Sequence, residues 1–306
     1  MTGSPLVSVV LIFLNEQRFL SEAVESVVAQ SFADWELVLV DDGSTDQSSE
    51  VARNYARRMP DRVRYLDHPG HENQGMSASR NLGIGSARGE FVAFLDGDDV
   101  WIHDKLARQV AILRACPAAG FVAGVKEFWF SWTGLPGDGT RDVRQQFPMA
   151  ADQLVHPPQL LKAFLQDESA VLLDVLLRRS VIEAVQGYEE SFRGLYEDQV
   201  FHAKLCLRYP AWLTSDVGVR YRQHPMSCAI SSDPHRKREA REQYLRWLTE
   251  HMAFQGERDR GLWRTVRRES LPFRHPRLAK AREWLRAVRR QLVGGATTGP
   301  SGPRSR

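Results

Sequence analysis

Residues 6–46 read LVSVVLIFLNEQRFLSEAVESVVAQSFADWELVLVDDGSTD. Leu6–Leu14 is a continuous, β-rich apolar run. Arg18–Ser31 carries Phe19, Leu20, Ala23, Val24, Val27 and Val28 at helical spacing, and Trp35–Val40 is a second apolar run. Two strands without polar alternation, joined by an amphipathic helix, predict a parallel sheet covered on both faces. The pattern continues outward. Thr45–Arg58 reads as a helix capped by Ser44 or Thr45, Arg62–Leu66 as a strand, Ser77–Ala87 as a helix and Glu90–Leu95 as a fourth strand. Ligands of such sheets bind at the carboxyl ends of the strands. The acidic clusters of this chain fall there.

Farther along, Ala119–Trp129, Val171–Leu177 and Ala211–Tyr221 read as strands, and Pro158–Phe164, Val181–Val185 and Asp198–Tyr209 as helices. Gly134–Pro158 reads as a long loop, rich in Gly, Pro and polar residues. His235–Phe254, Arg258–Glu269 and Pro276–Leu292 are three helical stretches with no strand between them, and Gly294–Arg306 is low-complexity and reads as disordered.

Composition narrows the class. The chain has 306 residues, 42% hydrophobic and 26% charged, so it is neither fibrous nor disordered, and it can bury a large core. Cys116, Cys206 and Cys228 are too few and scattered for a disulfide framework or a zinc site, so a reducing cytosol is the simplest setting. No run reaches the ~18 apolar residues of a membrane helix. Leu6–Leu14 contains Ser8 and follows no basic region, so it reads as a strand and not as a signal peptide. The net charge of +3 hides an asymmetry: residues 251–306 hold 14 Lys/Arg and 4 Asp/Glu, hence +10, which leaves −7 on the rest.

Four features carry chemistry. Asp41-Asp42-Gly43-Ser44-Thr45-Asp46 follows the second strand; its carboxylates could accept from a ribose or a base, or simply form a turn. Asp96-Gly97-Asp98-Asp99 follows the fourth strand. Three carboxylates in four residues repel one another, and a cation relieves that repulsion. Hard oxygen ligands suit Mg²⁺ or Mn²⁺. Tyr196-Glu197-Asp198 opens a predicted helix, where a carboxylate either favours the helix dipole or serves as a general base. Tyr221-Arg222-Gln223-His224 ends the last predicted strand, and a neutral imidazole is an acceptable Mn²⁺ ligand.

Taken in order, these stretches resemble the family 2 glycosyltransferases. The resemblance is carried by residues 7–46, by NQGMSASRNLGIGSARGEFVAFLDGDDVW (Asn73–Trp101), by LLRRSVIEAVQGYEESF followed by YEDQVF, and by YRQHPMSC, and it covers about residues 5–230. It implies an α/β GT-A fold: a Rossmann-like, mostly parallel sheet flanked by helices, with a C-terminal helical extension. By it, residues 1–230 form the transferase domain, with a donor half at about 1–118 and an acceptor half at about 119–230; 231–293 is helical and 294–306 a tail. It implies an inverting transfer of a sugar from a UDP-, GDP- or dTDP-sugar donor to a hydroxyl acceptor (a glycan, lipid-linked or small molecule), with Mn²⁺ or Mg²⁺. Asn15, Glu16, Asp41 and Asp42 would line the nucleoside pocket, and Arg80 would lie near the donor. Asp96 would sit by the ribose, and Asp98 and His224 would ligate the metal. Asp198 would be the catalytic base with Glu197 supporting it. Ile12-Phe13-Leu14-Asn15 departs from the usual Pro-x-Tyr-Asn, and Gln186-Gly187-Tyr188 from Gly-Gly-Phe.

Two rival classes stand beside this reading: a non-catalytic nucleotide-sugar-binding or scaffold protein, and a sugar nucleotidyltransferase, which the lack of a Gly-rich basic loop after the first strand disfavours. The basic tail reads either as a helical cap on the acidic body or as a peripheral contact with the inner face of a membrane. No nucleic-acid module accompanies its charge.

Overall fold

Seven consecutive buried residues make β1 (Val7–Phe13), and seven more make β2 (Trp35–Asp41). They pair in parallel with Phe13 opposite Asp41, and β1 also pairs in parallel with β4 (Phe91–Asp96), which sets Ile12 opposite Asp96. β3 (Val63–Asp67) extends this parallel run beyond β2. The computed structural model describes residues 4–166, 172–227 and 233–275. The predicted helix Pro276–Leu292 and the tail 294–306 lie outside them.

The full sheet order is β3-β2-β1-β4-β9-β6-β10-β5, with β9 at Val175–Arg178, β6 at Phe121–Trp129, β10 at Ala211–Arg222 and β5 at Val100–Trp101. β9 is antiparallel to both β4 and β6, and β10 is parallel to β6. Two reversals restore direction. β1, β2, β4, β6 and β10 therefore all end at one edge, and the parallel run of the first hundred residues continues as a mixed sheet. Two short strands, β7 (Val143–Arg144) and β8 (Gln153–Val155), pair with β6 and β10. They lie inside the stretch 134–158 expected to be loop.

Helices cover the sheet: α1 (Leu20–Val28), α2 (Ser48–Arg58), α3 (Met76–Ser86), α4 (Lys105–Ala115), α5 (Gln159–Gln166), α6 (Arg179–Ala184) and α7 (Glu197–Arg208). Leu20, Ala23, Val24 and Val27 of α1 join the core formed by Val9, Leu11, Leu37, Leu39 and Phe91. Helix α2 starts at Ser48, three residues later than expected. Asp46 accepts from the Ser48 N–H at 2.9 Å, while the Ser44 hydroxyl is taken by the Asn15 N–H at 3.0 Å, so neither Ser44 nor Thr45 caps it. Helix α3 crosses β1 so closely that a Cβ on Gly83 would meet Val10 Cγ1 at 2.3 Å. Gly83→Ala is expected to lower stability by about 1–2 kcal/mol, overpacking outweighing the helix propensity gained. Chemical denaturation of the two proteins checks it.

Helix α8 (Pro234–Phe254) is followed by α9 (Arg260–Arg274). The chain divides into two compact units between Tyr244 and Leu245, inside α8. The first half of α8 joins the first unit because buried Arg241 donates to the Leu165 carbonyl at 3.1 Å and Tyr244 stacks on Tyr196 at 5.4 Å. Among the described residues no helix is long and apolar enough to cross a membrane.

Candidate active site

The common carboxyl edge of β1, β2, β4 and β10 gathers the acidic motifs. After β1 the chain turns through Asn15, whose φ of +58° lies in the left-handed region that Asn tolerates. Asn15 Oδ1 accepts from the Thr45 N–H at 2.7 Å and the Asp46 N–H at 3.3 Å, tying the two strand ends together. Asp41 is fully buried. Its oxygens accept from the Ser44 N–H (2.8 Å), the Ser49 hydroxyl (2.5 Å) and the Tyr65 hydroxyl (3.1 Å). Asp42 accepts from the N–H groups of Gln74 (2.8 Å) and Gly75 (3.0 Å). Gly43, next in the chain, has φ +84°, and a Cβ there would strike the backbone of Glu72–Asn73. Asp42 therefore braces the loop at 71–75, while Asp41 ties the turn after β2 to α2 and β3.

After β4 the three carboxylates diverge. Asp96 Oδ1 receives Arg80 Nη2 at 2.7 Å, and Arg80 Nη1 reaches Glu197 Oε1 at 2.8 Å. Arg80, only 5% exposed, thus joins the end of β4 to the start of α7. Asp98 Oδ2 lies 2.9 Å from His224 Nε2. Asp99 is buried and accepts from the Arg222 N–H at 2.9 Å. Arg222 donates from Nε to the Asp98 carbonyl at 2.7 Å and from Nη2 to Glu22 at 2.5 Å, with its guanidinium between Phe19 (4.5 Å) and Trp129 (4.4 Å). Arg222 therefore holds the main chain of one acidic motif beside His224.

Helix α7 presents the third motif. Tyr196, immediately before it, has φ +71°, a strained value for a bulky residue. Asp198 is half-buried and accepts from the Gln199 N–H at 2.7 Å. Together with Arg80, Asp96, Asp99, Tyr188 and His202 it lines a recess whose remaining wall is apolar, from Phe94, Leu95, Leu172, Val175 and Val219.

Electrostatics follows from this crowding. Burial lifts Asp198 above the ordinary carboxylate range, against the pull of Arg80, the Gln199 N–H and Lys126. Burial likewise raises Asp96, and raises Asp99 further with repulsion from Asp98 and Asp96. Glu16, at the end of β1, is pushed up to about 7 by burial and by Asp98 beside it. His202 is held down to about 3 by burial and by Arg80, so it is neutral. Lys126, buried on β6, is lowered to about 8 by burial, with Asp198 and Asp99 opposing. The edge therefore carries more negative charge than its own cations neutralise. Sequence reading did not single out Lys126, His202 or Arg222. A lysine inside the apolar run FVAGVKEFW was the available signal for Lys126.

Residues 8–142 match the family model described as Glycosyl transferase family 2. The chain carries a family 2 glycosyltransferase domain. Among curated relatives, a Bacillus subtilis protein provisionally named teichuronic acid biosynthesis glycosyltransferase TuaG is 34% identical over 164 residues, 51% of this chain and 55% of that protein. The chain spans between 34% and 55% of the length of TuaG and two comparable relatives. Among solved structures, S. aureus TarS 1–349 in complex with UDP-GlcNAc superposes with a TM-score of 0.61 at 20% identity, over 78% of this chain and 65% of TarS 1–349. The mannosyltransferase PcManGT from Pyrobaculum calidifontis, in complex with GDP-Man and Mn²⁺, gives 0.60 at 19% identity, over 98% of this chain and 77% of its own. At these identities the structures establish the GT-A fold of the family 2 domain.

Proposed function

We propose that this family 2 glycosyltransferase domain transfers a sugar from a nucleotide-sugar donor to an acceptor hydroxyl with inversion at the anomeric carbon. The observation that carries the reading is the convergence of Asp96, Asp98, His224 and Asp198 from three separate sequence regions on one sheet edge. The UDP-GlcNAc of TarS and the GDP-Man of PcManGT support a nucleotide-sugar donor, and the name of TuaG supports a glycan acceptor.

The donor set fits a divalent cation. Asp98 offers a hard carboxylate oxygen and His224 a ring nitrogen at the same point, beside Glu16, which burial and then Asp98 push up to about 7. Among the described residues no three His, Cys, Asp or Glu side chains form a metal cluster. Asp98 and His224 would therefore be the ligands that the protein supplies. Bound Mn²⁺ or Mg²⁺ offsets the charge of a diphosphate leaving group. Asn15, Asp41 and Asp42 shape the loop against which the nucleoside lies, and Asp96 is oriented toward the ribose by Arg80. Asp198 takes the proton of the acceptor hydroxyl, and the apolar wall of its recess excludes water. Glu197 anchors the first turn of α7 through Arg80, which fixes Asp198 in place.

Nucleotide release measured over UDP-, GDP- and dTDP-sugars with Mn²⁺, Mg²⁺ or EDTA tests the reading. Release from one donor, lost in EDTA, is expected. No release and no calorimetric donor binding across the panel would refute it. In a second test, Asp98→Ala is expected to weaken Mn²⁺-dependent donor binding at least tenfold, about 1.4 kcal/mol. Unchanged donor affinity in Mn²⁺ would remove Asp98 from the metal site.

A further inference from the structure

Helix α9 carries a feature that the transfer reaction does not use. Arg260, Arg264, Arg267 and Arg274 follow one another at intervals of four, three and seven residues, so they share one face. All four are exposed, while Leu262, Thr265, Val266 and Ser270 on the other side are buried. The helix is thus fixed with its apolar side inward and its arginines outward, along about 20 Å. Arg260, Arg264 and Arg267 line a surface groove with Trp263, whose indole N–H donates to the Glu257 carbonyl at 2.9 Å.

Several arginines elsewhere in the chain sit beside carboxylates, though among the described residues exposed Arg18, Arg58 and Arg114 do not. Arg57 meets Glu50 at 2.6 Å, Arg108 meets Asp104 at 3.1 Å, Arg141 meets Asp138 at 3.1 Å and Arg179 meets Glu183 at 3.3 Å. Among the described residues no carboxylate pairs with Arg260, Arg264, Arg267 or Arg274. Like charges three and four residues apart weaken a helix. An external anionic surface removes that repulsion.

We propose that the arginine face of α9 docks on an anionic lipid bilayer. A bilayer fits better than a nucleic acid because the half-buried ring of Trp263 is interleaved with the arginines at headgroup depth, and no base-reading module accompanies them. The apolar side of α9 lies inside the protein, so contact is electrostatic and does not require the helix to insert.

Each basic residue held at an anionic surface strengthens partitioning about fivefold. Full-length protein is sedimented with vesicles of phosphatidylcholine alone or mixed with phosphatidylglycerol. The protein is expected to pellet only with the mixed vesicles and to be released at about 0.5 M salt, where screening is short-ranged. The Arg260→Ser/Arg264→Ser/Arg267→Ser variant is expected to partition on the order of 100-fold more weakly, with nucleotide release unchanged. Arg264→Glu alone is expected to weaken it at least tenfold, and it keeps the test readable if the triple variant does not fold. Equal pelleting with neutral vesicles, or pelleting unaffected by these substitutions, would overturn the proposal. So would tight binding to a DNA fragment with no vesicle binding.

Discussion

Asp198→Asn is expected to reduce sugar transfer by about 10²–10⁴-fold, the usual share of a general base, while donor affinity stays within about threefold. The substitution keeps the shape of the side chain and removes only its capacity to take a proton. A base must be ionised to act. Because burial raises the Asp198 carboxyl, transfer by the parent protein should fall on the acidic side with a midpoint above the ordinary carboxylate range. That limb should vanish from the residual activity of the variant. Stability moves the other way. A carboxyl whose folded pKa is raised penalises the folded state at pH values above its unfolded pKa, where the unfolded chain is ionised. The penalty is absent in acid, and Asn removes it at neutral pH. The variant should therefore unfold at the same or a higher temperature, so that lost transfer is not lost folding. Rates, calorimetric donor binding and thermal unfolding measured across pH 4–8 check all three expectations. Near-parental turnover would show that another group takes the proton.

Much of this site is legible in the chain because it is built at strand ends. Buried strands announce themselves as apolar runs, and the residue after such a run lies at the sheet edge, so Asp41, Asp96 and their neighbours could be placed from residues 6–46 and 90–99 alone. Helix α4 went unassigned although Leu106, Val110 and Leu113 stand at helical spacing. Strand β5 has two residues, too few for any periodicity. The antiparallel insertion of β9 between β4 and β6 could not be read at all, since local pattern reports burial and not the identity of the neighbour. Yet that insertion sets the direction of β10 and so brings His224 to Asp98 across 126 residues of chain. Arg222 and Lys126 were missed for the same reason: their meaning lies in what they touch. The acidic motifs were individually visible, whereas the cations that organise them were not.

Arg80, which the family resemblance places near the donor, organises two of these motifs. Its two terminal nitrogens are committed to Asp96 and Glu197, at 2.7 and 2.8 Å, and its guanidinium lies 5.3 Å from the centre of the Tyr188 ring. A donor-facing arginine would leave a nitrogen directed outward; here the side chain joins two acidic motifs 101 positions apart in the chain. Arg80→Met is therefore expected to cost about 3–5 kcal/mol at alkaline pH, where Glu197, 4% exposed and raised to about 8 by burial, is ionised and loses its counter-charge. For a chain of this size that lowers the melting temperature by on the order of 10 °C. Arg80→Lys should recover only part of the loss, since one ammonium cannot hold two carboxylates in the geometry of a planar fork. The loss should depend on pH. Protonated carboxyls need no cation, so the difference from the parent protein should shrink as the pH falls and Glu197, already raised by burial, takes up its proton. Adding Glu197→Gln to Arg80→Met should restore stability but not transfer, because the first turn of α7 is then no longer tied to β4 and Asp198 loses its register with the metal-binding motif. Thermal unfolding of the single and double variants at pH 5 and pH 8 decides between this bridge and a surface arginine, for which every one of these differences would be within about 0.5 kcal/mol.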